Sequence, residues 1–268
     1  SAQSITGMMT EALNDEGFRA RLRDRGLQQA KRFSWDITAK RAIGAFEELH
    51  SENMHKAASI VPSKRRPTLA YVSPLPPERS GISDYSAELL PELLRHYDIE
   101  VIVAQQTIAD QWIKENCTVR DVSWFKQNAS NYERILYHFG NSPFHSHMFG
   151  LLREWAGVVV LHDFFLSGVL AHEEWSQTMP RAWTNALYHS HGYAGLSDLY
   201  VESGVADTQD RYPGNLEVLQ SARGVIVHSE YSKKLARYWY SPEAASDWAV
   251  VPAIRTPPLP KDRLAARR

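Results

Sequence analysis

The sequence predicts an α/β protein, built on a doubly wound and mostly parallel β-sheet and preceded by an N-terminal helical extension. Two observations carry this prediction. From residue 68 onward, short apolar runs alternate with stretches of helical periodicity, which is the order of a βαβ series. The runs are almost continuously apolar, as expected for parallel strands that helices cover on both faces.

Residues 1–50 are predicted to be helical. Ser34 offers a cap between two apolar patterns, and a short helical array of this kind cannot close a core by itself, so it must pack against something else. The first pattern places six apolar residues at helical spacing, with Gly26 as an interruption: Met8, Met9, Leu13, Phe18, Leu22 and Leu27. The second places one stripe on a helix, with Lys40, Arg41, Glu47 and Glu48 left to solvent: Trp35, Ile37, Ala42, Ile43 and Phe46.

Residues 51–67 are predicted to be a linker, because apolar periodicity is lost and polar residues, basic residues and prolines accumulate. The basic cluster Lys64, Arg65 and Arg66 is interpreted as part of a solvated connector rather than as a phosphate site.

Residues 68–253 are predicted to form the α/β domain. Its strands are expected at the runs TLAYVS, IEVIVA, RILYHFG, GVVVLHD and GVIVHS, with a further candidate at DWAVVPA. Its helices are expected at 82–96, 144–155, 164–177, 180–203 and 230–239. The proline-rich segment 254–268 is predicted to be an exit linker.

The composition restricts the class of partner. With 30 basic and 31 acidic residues among 268, the chain has no net field to attract nucleic acid or an anionic membrane, so an anionic ligand must be gripped locally. Cys117 is the single cysteine, which excludes an internal disulfide and fits a reducing compartment. No signal-peptide pattern or membrane span is recognised, and the expected location is the cytoplasm.

The candidate site follows from the ends of the strands, because doubly wound sheets bind ligands at the carboxyl ends of their strands. Polar residues occur at equivalent points of several strands, so we expect them to meet at one edge. They are Ser73 and Gly81 after the first strand, then His138, Gly140 and Asn141, then His162 and Asp163, and finally His228, Ser229 and Glu230.

The segment PPERSGIS joins the first strand of the domain to a helix. Gly81 either lets backbone N–H groups approach an anion or a sugar at the helix N-terminus, or merely provides a tight turn before a helix capped by Ser83. Both interpretations stay open. One glycine is not the three-glycine dinucleotide fingerprint, so a nicotinamide cofactor is not expected, and no other cofactor is predicted.

Histidines suggest a metal, but the pairs His145/His147 and His189/His191 would diverge on a helix, so no metal site is predicted. His162 and Asp163 form a candidate catalytic pair that could orient a sugar hydroxyl or accept a proton. The alternative is a buried histidine satisfied by the backbone. The aromatic residues between 175 and 240 could stack on sugars, although helical spacing is more typical of core.

Four motifs in order carry a resemblance: PLPPERSGISDYSAELLPELL, ILYHFGNSPFH, GVVVLHDFFLSG and VIVHSEYSKKLA. Residues 68–253 are similar to the Rossmann-like N-terminal half of family 4 retaining glycosyltransferases of the GT-B fold. The segment LRDRGLQQAKRFSWDITAKRAIGAFEEL resembles the C-terminal tail of the same family. Because the segment that resembles a C-terminal tail precedes the domain that resembles an N-terminal half, the order indicates an excerpt of a tandem enzyme. Alternatively, residues 1–50 dock on residues 68–253 as one compact unit.

The resemblance implies that the parent enzyme moves a sugar such as mannose from a nucleotide-sugar donor to a growing glycan, as in bacterial polysaccharide biosynthesis. His162 would lie near the donor sugar, and Asp163 on the acceptor side. The donor would bind only with a missing C-terminal domain, so this chain should be nearly inactive alone. The parent could associate peripherally with a membrane, and no nucleic acid is expected. The predicted substrate-binding residues are Gly81, Ile82, Ser83, Tyr85, His138, Gly140, Asn141, His228 and Ser229.

Two other functions compete with this prediction. One is a non-catalytic glycan-binding or scaffolding module that keeps half of a GT-B fold. The other is a hydrolase that uses His162 and Asp163, which ranks last because the sequence contains no G-x-S-x-G nucleophile elbow.

Overall fold

The computed structural model of the chain describes residues 2–30, 35–54 and 65–253. Its centre is a seven-stranded sheet in which every pair is parallel, in the order β3-β2-β1-β4-β5-β6-β7. The predicted α/β class with a doubly wound sheet is confirmed. The strands are β1 Thr68–Val72, β2 Asp98–Val103, β3 Thr118–Asp121, β4 Arg134–Phe139, β5 Val158–Leu161, β6 Gly224–Val227 and β7 Ala249–Val250.

Six of these strands lie where the apolar runs predicted them. The exception is β3, whose sequence TVRD is polar at both ends and forms an edge of the sheet, where it is only partly covered. An edge strand of this kind lacks the continuous apolar run of a strand that is buried on both faces, so its sequence did not predict it.

Twelve α-helices accompany the sheet in the described part of the chain. Those of the N-terminal extension are α1 Ala2–Asn14, α2 Glu16–Ala30 and α3 Trp35–Met54. Those of the α/β domain are α4 Gly81–Leu93, α5 Gln111–Asn116, α6 Val122–Asn128, α7 Ser146–Glu154, α8 Ser167–Trp175, α9 Ala182–Ser197, α10 Gly204–Arg211, α11 Leu216–Ser221 and α12 Glu230–Trp239. The short helices α5, α6, α10 and α11 were not predicted.

The predicted single helix over 180–203 is two elements. The helix α9 bends at Gly192, which has φ +61° and ψ −148°, and a π-helix Asp198–Glu202 follows it. Positive φ is accessible to glycine without a steric penalty, so the bend falls at this residue. The elements α8 to α11 therefore form a helical insertion between β5 and β6.

The sheet separates two apolar cores. On one side, which we call the α4 face, α4 packs on alternate residues of the strands, including Leu69, Tyr71 and Val160. On the other, the α7 face, α7 and the helical insertion cover residues such as Tyr137 and Phe139. Because side chains alternate along a strand, every second residue of β4 belongs to the α4 face.

The helix α3 completes the cover of the α4 face. Phe46 is 4% exposed and packs in the same core as residues from β4, β5 and β6, with Ala42 and Ile43 partly buried beside it. The predicted stripe is therefore the packing face of α3 at these three positions, whereas the side chains of Trp35 and Ile37 lie outside the described part. In contrast, α1 and α2 contact one another and leave Met9 and Leu13 exposed.

A polar cluster fixes the position of α3. The Glu47 carboxylate accepts a hydrogen bond from the Tyr97 hydroxyl at 2.6 Å and pairs with the Arg134 guanidinium at 2.9 Å. Glu47 keeps 45% of its side chain exposed, as predicted, and it also pairs with Arg134, which is nine-tenths buried. Removal of the Glu47 carboxylate would leave the buried Arg134 guanidinium without its charged partner, which would lower stability.

The predicted linker begins later than expected, since α3 continues through Met54. Residues 55–64, which include Lys64, and residues 254–268 lie outside the described part. Arg65 pairs with Glu133 at 2.8 Å and Arg66 with Asp98 at 2.6 Å. Both arginines are thus engaged by carboxylates, in agreement with a connector.

Within the described ranges, no helix combines the length and apolarity needed to span a membrane.

Replacement of Phe46 tests the docking of α3. We expect Phe46→Ala to lower the free energy of unfolding by about 3 kcal/mol, because a buried aromatic side chain is removed from a packed core. Urea unfolding of both proteins measures this difference. Leu13→Ala, at a position 76% exposed on α1, is the control and should change stability by less than about 0.5 kcal/mol. Equal stabilities of the two variants would contradict the packing described for α3.

Candidate functional site

The topology defines a crevice between β1 and β4. The chain leaves β1 through α4 on one face of the sheet and leaves β4 through α7 on the other face. The strand order also reverses here, since β2 lies on one side of β1 and β4 on the other. Adjacent loops that diverge in this way open a crevice at the carboxyl ends of the strands, where open α/β sheets bind ligands. We call it the switch-point crevice.

A hollow of about 220 Å³ lies at this crevice. Glu78 comes from the loop after β1, Gln105 from the loop after β2, and Phe144 and His147 from the segment after β4. The complete lining is Pro74, Glu78, Ala104, Gln105, Pro143, Phe144, Ser146 and His147. None of these residues was predicted as a site residue, although each follows a strand end, and Glu78 and Phe144 fall within the motifs PPERSGIS and FGNSPFH.

The loop after β1 caps α4 differently from the prediction. Ser80 is the N-cap, and its hydroxyl accepts a hydrogen bond from the Ile82 N–H at 3.2 Å. The prediction of Ser83 as the cap was wrong, because its buried hydroxyl donates back to the carbonyls of Glu78 and Ser80. Gly81 is the exposed first residue of the helix, and its φ angle is not positive.

A close contact joins this loop to the end of β4. A Cβ atom placed on Gly140 would lie 2.3 Å from Ile82 Cδ1, 2.9 Å from His145 Nε2 and 3.3 Å from Asp163 Oδ2. These distances are too short for any side chain at residue 140 unless its neighbours move. A side chain at residue 140 would displace Ile82 and His145, so glycine allows these two residues and Asp163 to lie close together.

Three histidines form a hydrogen-bonded relay on the α4 face. His138 Nδ1 lies 3.0 Å from His162 Nε2, and His162 Nδ1 lies 2.9 Å from His228 Nε2. The relay ends where His228 Nδ1 meets the Val251 carbonyl oxygen at 2.8 Å. The rings come together because β4, β5 and β6 are adjacent and parallel, so the three side chains share one face. The ring of Tyr85 covers all three imidazoles, with centroids 5.0 to 6.0 Å away.

The carbonyl at the end of the relay sets its proton positions. Since the Val251 oxygen can only accept, His228 Nδ1 carries the proton and its Nε2 is an acceptor. The same reasoning makes His162 Nδ1 and then His138 Nδ1 donors. His138 Nε2 is left as an acceptor without a partner in the described residues. Both nitrogens of His162 are engaged, so its ring is held in place by the relay.

Unpartnered polar atoms are concentrated at the end of β4. Of the six buried side-chain nitrogens and oxygens that lack a partner in the described residues, four belong to the ten residues from His138 to His147. They are His138 Nε2, Ser142 Oγ, His145 Nε2 and His147 Nε2. Buried polar groups are nearly always hydrogen-bonded, so this concentration requires an explanation such as a ligand.

These imidazoles are neutral at physiological pH. Burial lowers the pKa of His145 to about 4 and that of His147 to about 4. Burial, with the nearby histidines, also lowers the pKa of His138 and His162, and burial lowers that of His228. The His145 Nδ1 proton is donated to the His138 carbonyl oxygen at 2.9 Å, which makes its Nε2 an acceptor. At least two unpartnered acceptor nitrogens therefore lie near the end of β4.

The predicted residues Asn141 and Asp163 are joined to the helical insertion. The Asn141 N–H donates to Asp163 Oδ2 at 2.9 Å, and the Asn141 side-chain oxygen accepts from the Val169 N–H in the first turn of α8. Asp163 is exposed beside the relay. Ser229 is an exposed residue at the start of α12 and stands apart from the crevice, since its hydroxyl contacts only Ser232 at 3.5 Å among the recorded hydrogen bonds.

The paired histidines do not converge. His145 lies in a 3₁₀ turn Pro143–His145 and His147 in α7, whereas His189 and His191 lie on α9. Within the described ranges, no three histidine, cysteine or carboxylate side chains are arranged to hold a metal ion.

Comparison of the chain with protein-family models, with curated proteins and with solved structures finds no match.

The low pKa values of the histidines predict a loss of stability in acid. Between the native pKa and the ordinary value of 6.5, the unfolded chain binds more protons than the folded chain, so a fall in pH favours unfolding. We expect the free energy of unfolding to be fully present at pH 7 and to fall between about pH 6.5 and pH 4. The slope should reach ~1.4 kcal/mol per pH unit for each histidine that stays neutral.

Urea unfolding at a series of pH values measures this slope. His162→Asn should lower the number of protons taken up on unfolding by about one, whatever its effect on the stability at pH 7. His189→Asn, at an exposed position on α9, is the matched control. A slope that His162→Asn leaves unchanged would contradict a neutral, buried relay.

Proposed function

We propose that this chain is the acceptor-side half of a retaining GT-B glycosyltransferase, which transfers a sugar such as mannose from a nucleotide sugar to a growing glycan. The observation that supports it most is the concentration of unpartnered polar atoms at the end of β4, where His147 also lines the switch-point crevice. The parallel sheet, with its crevice between β1 and β4, provides the architecture on which such an enzyme is built.

The chemistry of these atoms favours a sugar over a phosphate. A phosphate needs hydrogen-bond donors or positive charge, whereas His138 Nε2 and His145 Nε2 are neutral acceptors. Sugar hydroxyls can donate to such nitrogens and accept from a group such as the Ser142 hydroxyl. An acceptor glycan is therefore the substrate that these residues match best.

The approach to His145 passes the contact between Ile82 and Gly140. The Cδ1 methyl of Ile82 occupies the space next to the Gly140 Cα, close to His145 Nε2. A rotamer change of Ile82 would open this space, and such changes at a side-chain end are inexpensive. We assign Ile82 to the entrance, with His145 and the relay beneath it.

The catalytic pair has two distinct roles in this proposal. Asp163 is exposed and its carboxylate is held by the Asn141 N–H, so it can accept a hydrogen bond or a proton from an acceptor hydroxyl. His162 uses both nitrogens within the relay and acts as a positioning residue for the neighbouring rings. The departing diphosphate would be stabilised by a donor-binding domain, which makes this half nearly inactive alone.

A non-catalytic glycan-binding module is the second candidate. The observation that favours it is the same engagement of His162, because a ring with no free nitrogen cannot exchange a proton with substrate. Oligosaccharide binding with no sugar transfer after a donor-binding domain is supplied would favour this module. We place either protein in the cytoplasm, where reduced Cys117 is expected to persist.

Calorimetric titration tests the proposed function. Linear manno- and gluco-oligosaccharides should bind the chain, and nucleotide sugars such as GDP-mannose should give no heat of binding. Glu78→Gln and Phe144→Ala should weaken oligosaccharide binding at least about tenfold, because each removes a contact from the crevice.

Glu92→Gln on α4 is the matched control for Glu78→Gln, since Glu92 does not line the hollow. Its carboxylate pairs with Arg95, just beyond the C-terminal end of the same helix. Tight binding of a nucleotide sugar would overturn the assignment of this half to the acceptor. Failure of every oligosaccharide to bind would overturn the glycan chemistry itself.

A further inference from the structure

The hollow of the switch-point crevice carries one charged side chain. Glu78 lines it, and no lysine or arginine does. Within the described part of the chain, the recorded hydrogen bonds of Glu78 are all made by its backbone, to Leu75, Ser80 and Ser83. Its carboxylate therefore gives the hollow a negative charge that no described residue neutralises.

Two other polar side chains of the hollow have no hydrogen-bond donor left. The Gln105 side-chain amide donates to the carbonyl oxygens of Leu75 and Thr107, and its oxygen accepts from the Leu75 N–H. The Ser146 hydroxyl donates its single proton to the Pro143 carbonyl oxygen at 2.8 Å. The Ser146 oxygen can still accept a hydrogen bond, but neither group can donate one to a ligand.

His147 adds a further acceptor to the hollow. Its Nε2 is buried without a partner in the described residues, and burial lowers the pKa of the ring to about 4, so the imidazole is neutral at physiological pH. A neutral imidazole has one acceptor nitrogen and one donor nitrogen. Among the side chains of the hollow, acceptors thus remain on Glu78, Ser146 and His147, whereas a donor remains only on His147.

This imbalance discriminates between ligand classes. A phosphate, sulfate or carboxylate group would be repelled by Glu78 and would find almost no donor. A neutral hydroxyl brings a single proton to several acceptors. A protonated amine brings three donors and a positive charge and needs no donor in return, so it is the group that matches the hollow best.

We propose that the switch-point crevice recognises an acceptor sugar with a free, protonated amino group, and that Glu78 determines this preference by bonding to the ammonium. Phe144 packs against the sugar ring, and His147 accepts a further hydrogen bond. This inference rests on the proposed function and deepens it, because it names the chemical class of the acceptor as a glycan that presents an amino sugar such as glucosamine.

Titration calorimetry with oligosaccharides of one backbone and equal length tests this inference. Oligomers of glucosamine, N-acetylglucosamine and glucose in the same linkage differ only in the group at carbon 2. We expect the parent chain to bind the protonated glucosamine oligomer at least about tenfold more tightly than the two neutral oligomers, because a charge-assisted hydrogen bond is gained. Glu78→Gln keeps the size of the side chain and removes its charge, so the preference should be lost.

Phe144→Ala is the matched control within the hollow. It removes a contact from every oligomer, so it should weaken all of them alike and keep the preference for glucosamine. Glu92→Gln removes a carboxylate outside the hollow and should behave like the parent chain. Thermal unfolding of Glu78→Gln, which should match that of the parent, checks that this variant is folded.

The outcomes separate this inference from the proposed function. Equal affinities of the parent chain for charged and neutral oligomers would overturn the inference while the crevice still binds glycan. A preference that survives Glu78→Gln would overturn the assignment of Glu78. Propylamine carries the same ammonium without a sugar, and if it binds as tightly as the glucosamine oligomer, the hollow takes alkylammonium ions and the inference is wrong. Absence of binding by every oligomer would overturn both proposals.

Discussion

A parallel sheet must be covered on both faces, and the cover of the α4 face is the constraint on which this structure depends. The helix α4 alone reaches only part of the strands, and α3 supplies the remainder through Phe46, at the cost of bringing polar groups into a partly buried position. The Glu47 carboxylate offsets that cost, because it accepts hydrogen bonds from both the Tyr97 hydroxyl and the Arg134 guanidinium. The N-terminal extension is thus divided physically. Its third helix belongs to the core of the domain, whereas α1 and α2 pack on one another and keep exposed apolar residues.

The same sheet explains where the chemistry lies. Helices that depart to opposite faces after β1 and β4 open the crevice, and the alternation of side chains along parallel strands aligns His138, His162 and His228 on one face. Burial lowers the pKa of all three, and the neighbouring histidines lower those of His138 and His162 further. The result is a neutral set of acceptors, in which ring orientation depends on backbone carbonyl groups rather than on charged partners.

Much of the architecture could be predicted from the sequence, because buried parallel strands leave continuous apolar runs and the polar residues that follow them must share an edge. The features that the sequence did not predict are an edge strand, short helices, and residues brought together from separate loops. The strand β3 lies at an edge and has no such run, and α10 and α11 are too short to show periodicity. The pairing of Glu47 with Arg134 was missed because the two residues are 87 positions apart in the sequence. Glu78, Gln105 and Phe144 come from three separate loops, and only the strand order places them around one hollow.

The relay has a direction, and the Val251 carbonyl oxygen imposes it. This residue directly follows β7, which is an edge strand of the sheet. If that carbonyl were withdrawn, His228 Nδ1 would lose its acceptor and a neutral ring could exchange its tautomer. Each hydrogen bond of the relay would then reverse, and His138 Nε2 would change from an acceptor into a donor. The position of a single peptide group at the edge of the sheet thereby determines the polarity of a buried nitrogen three strands away.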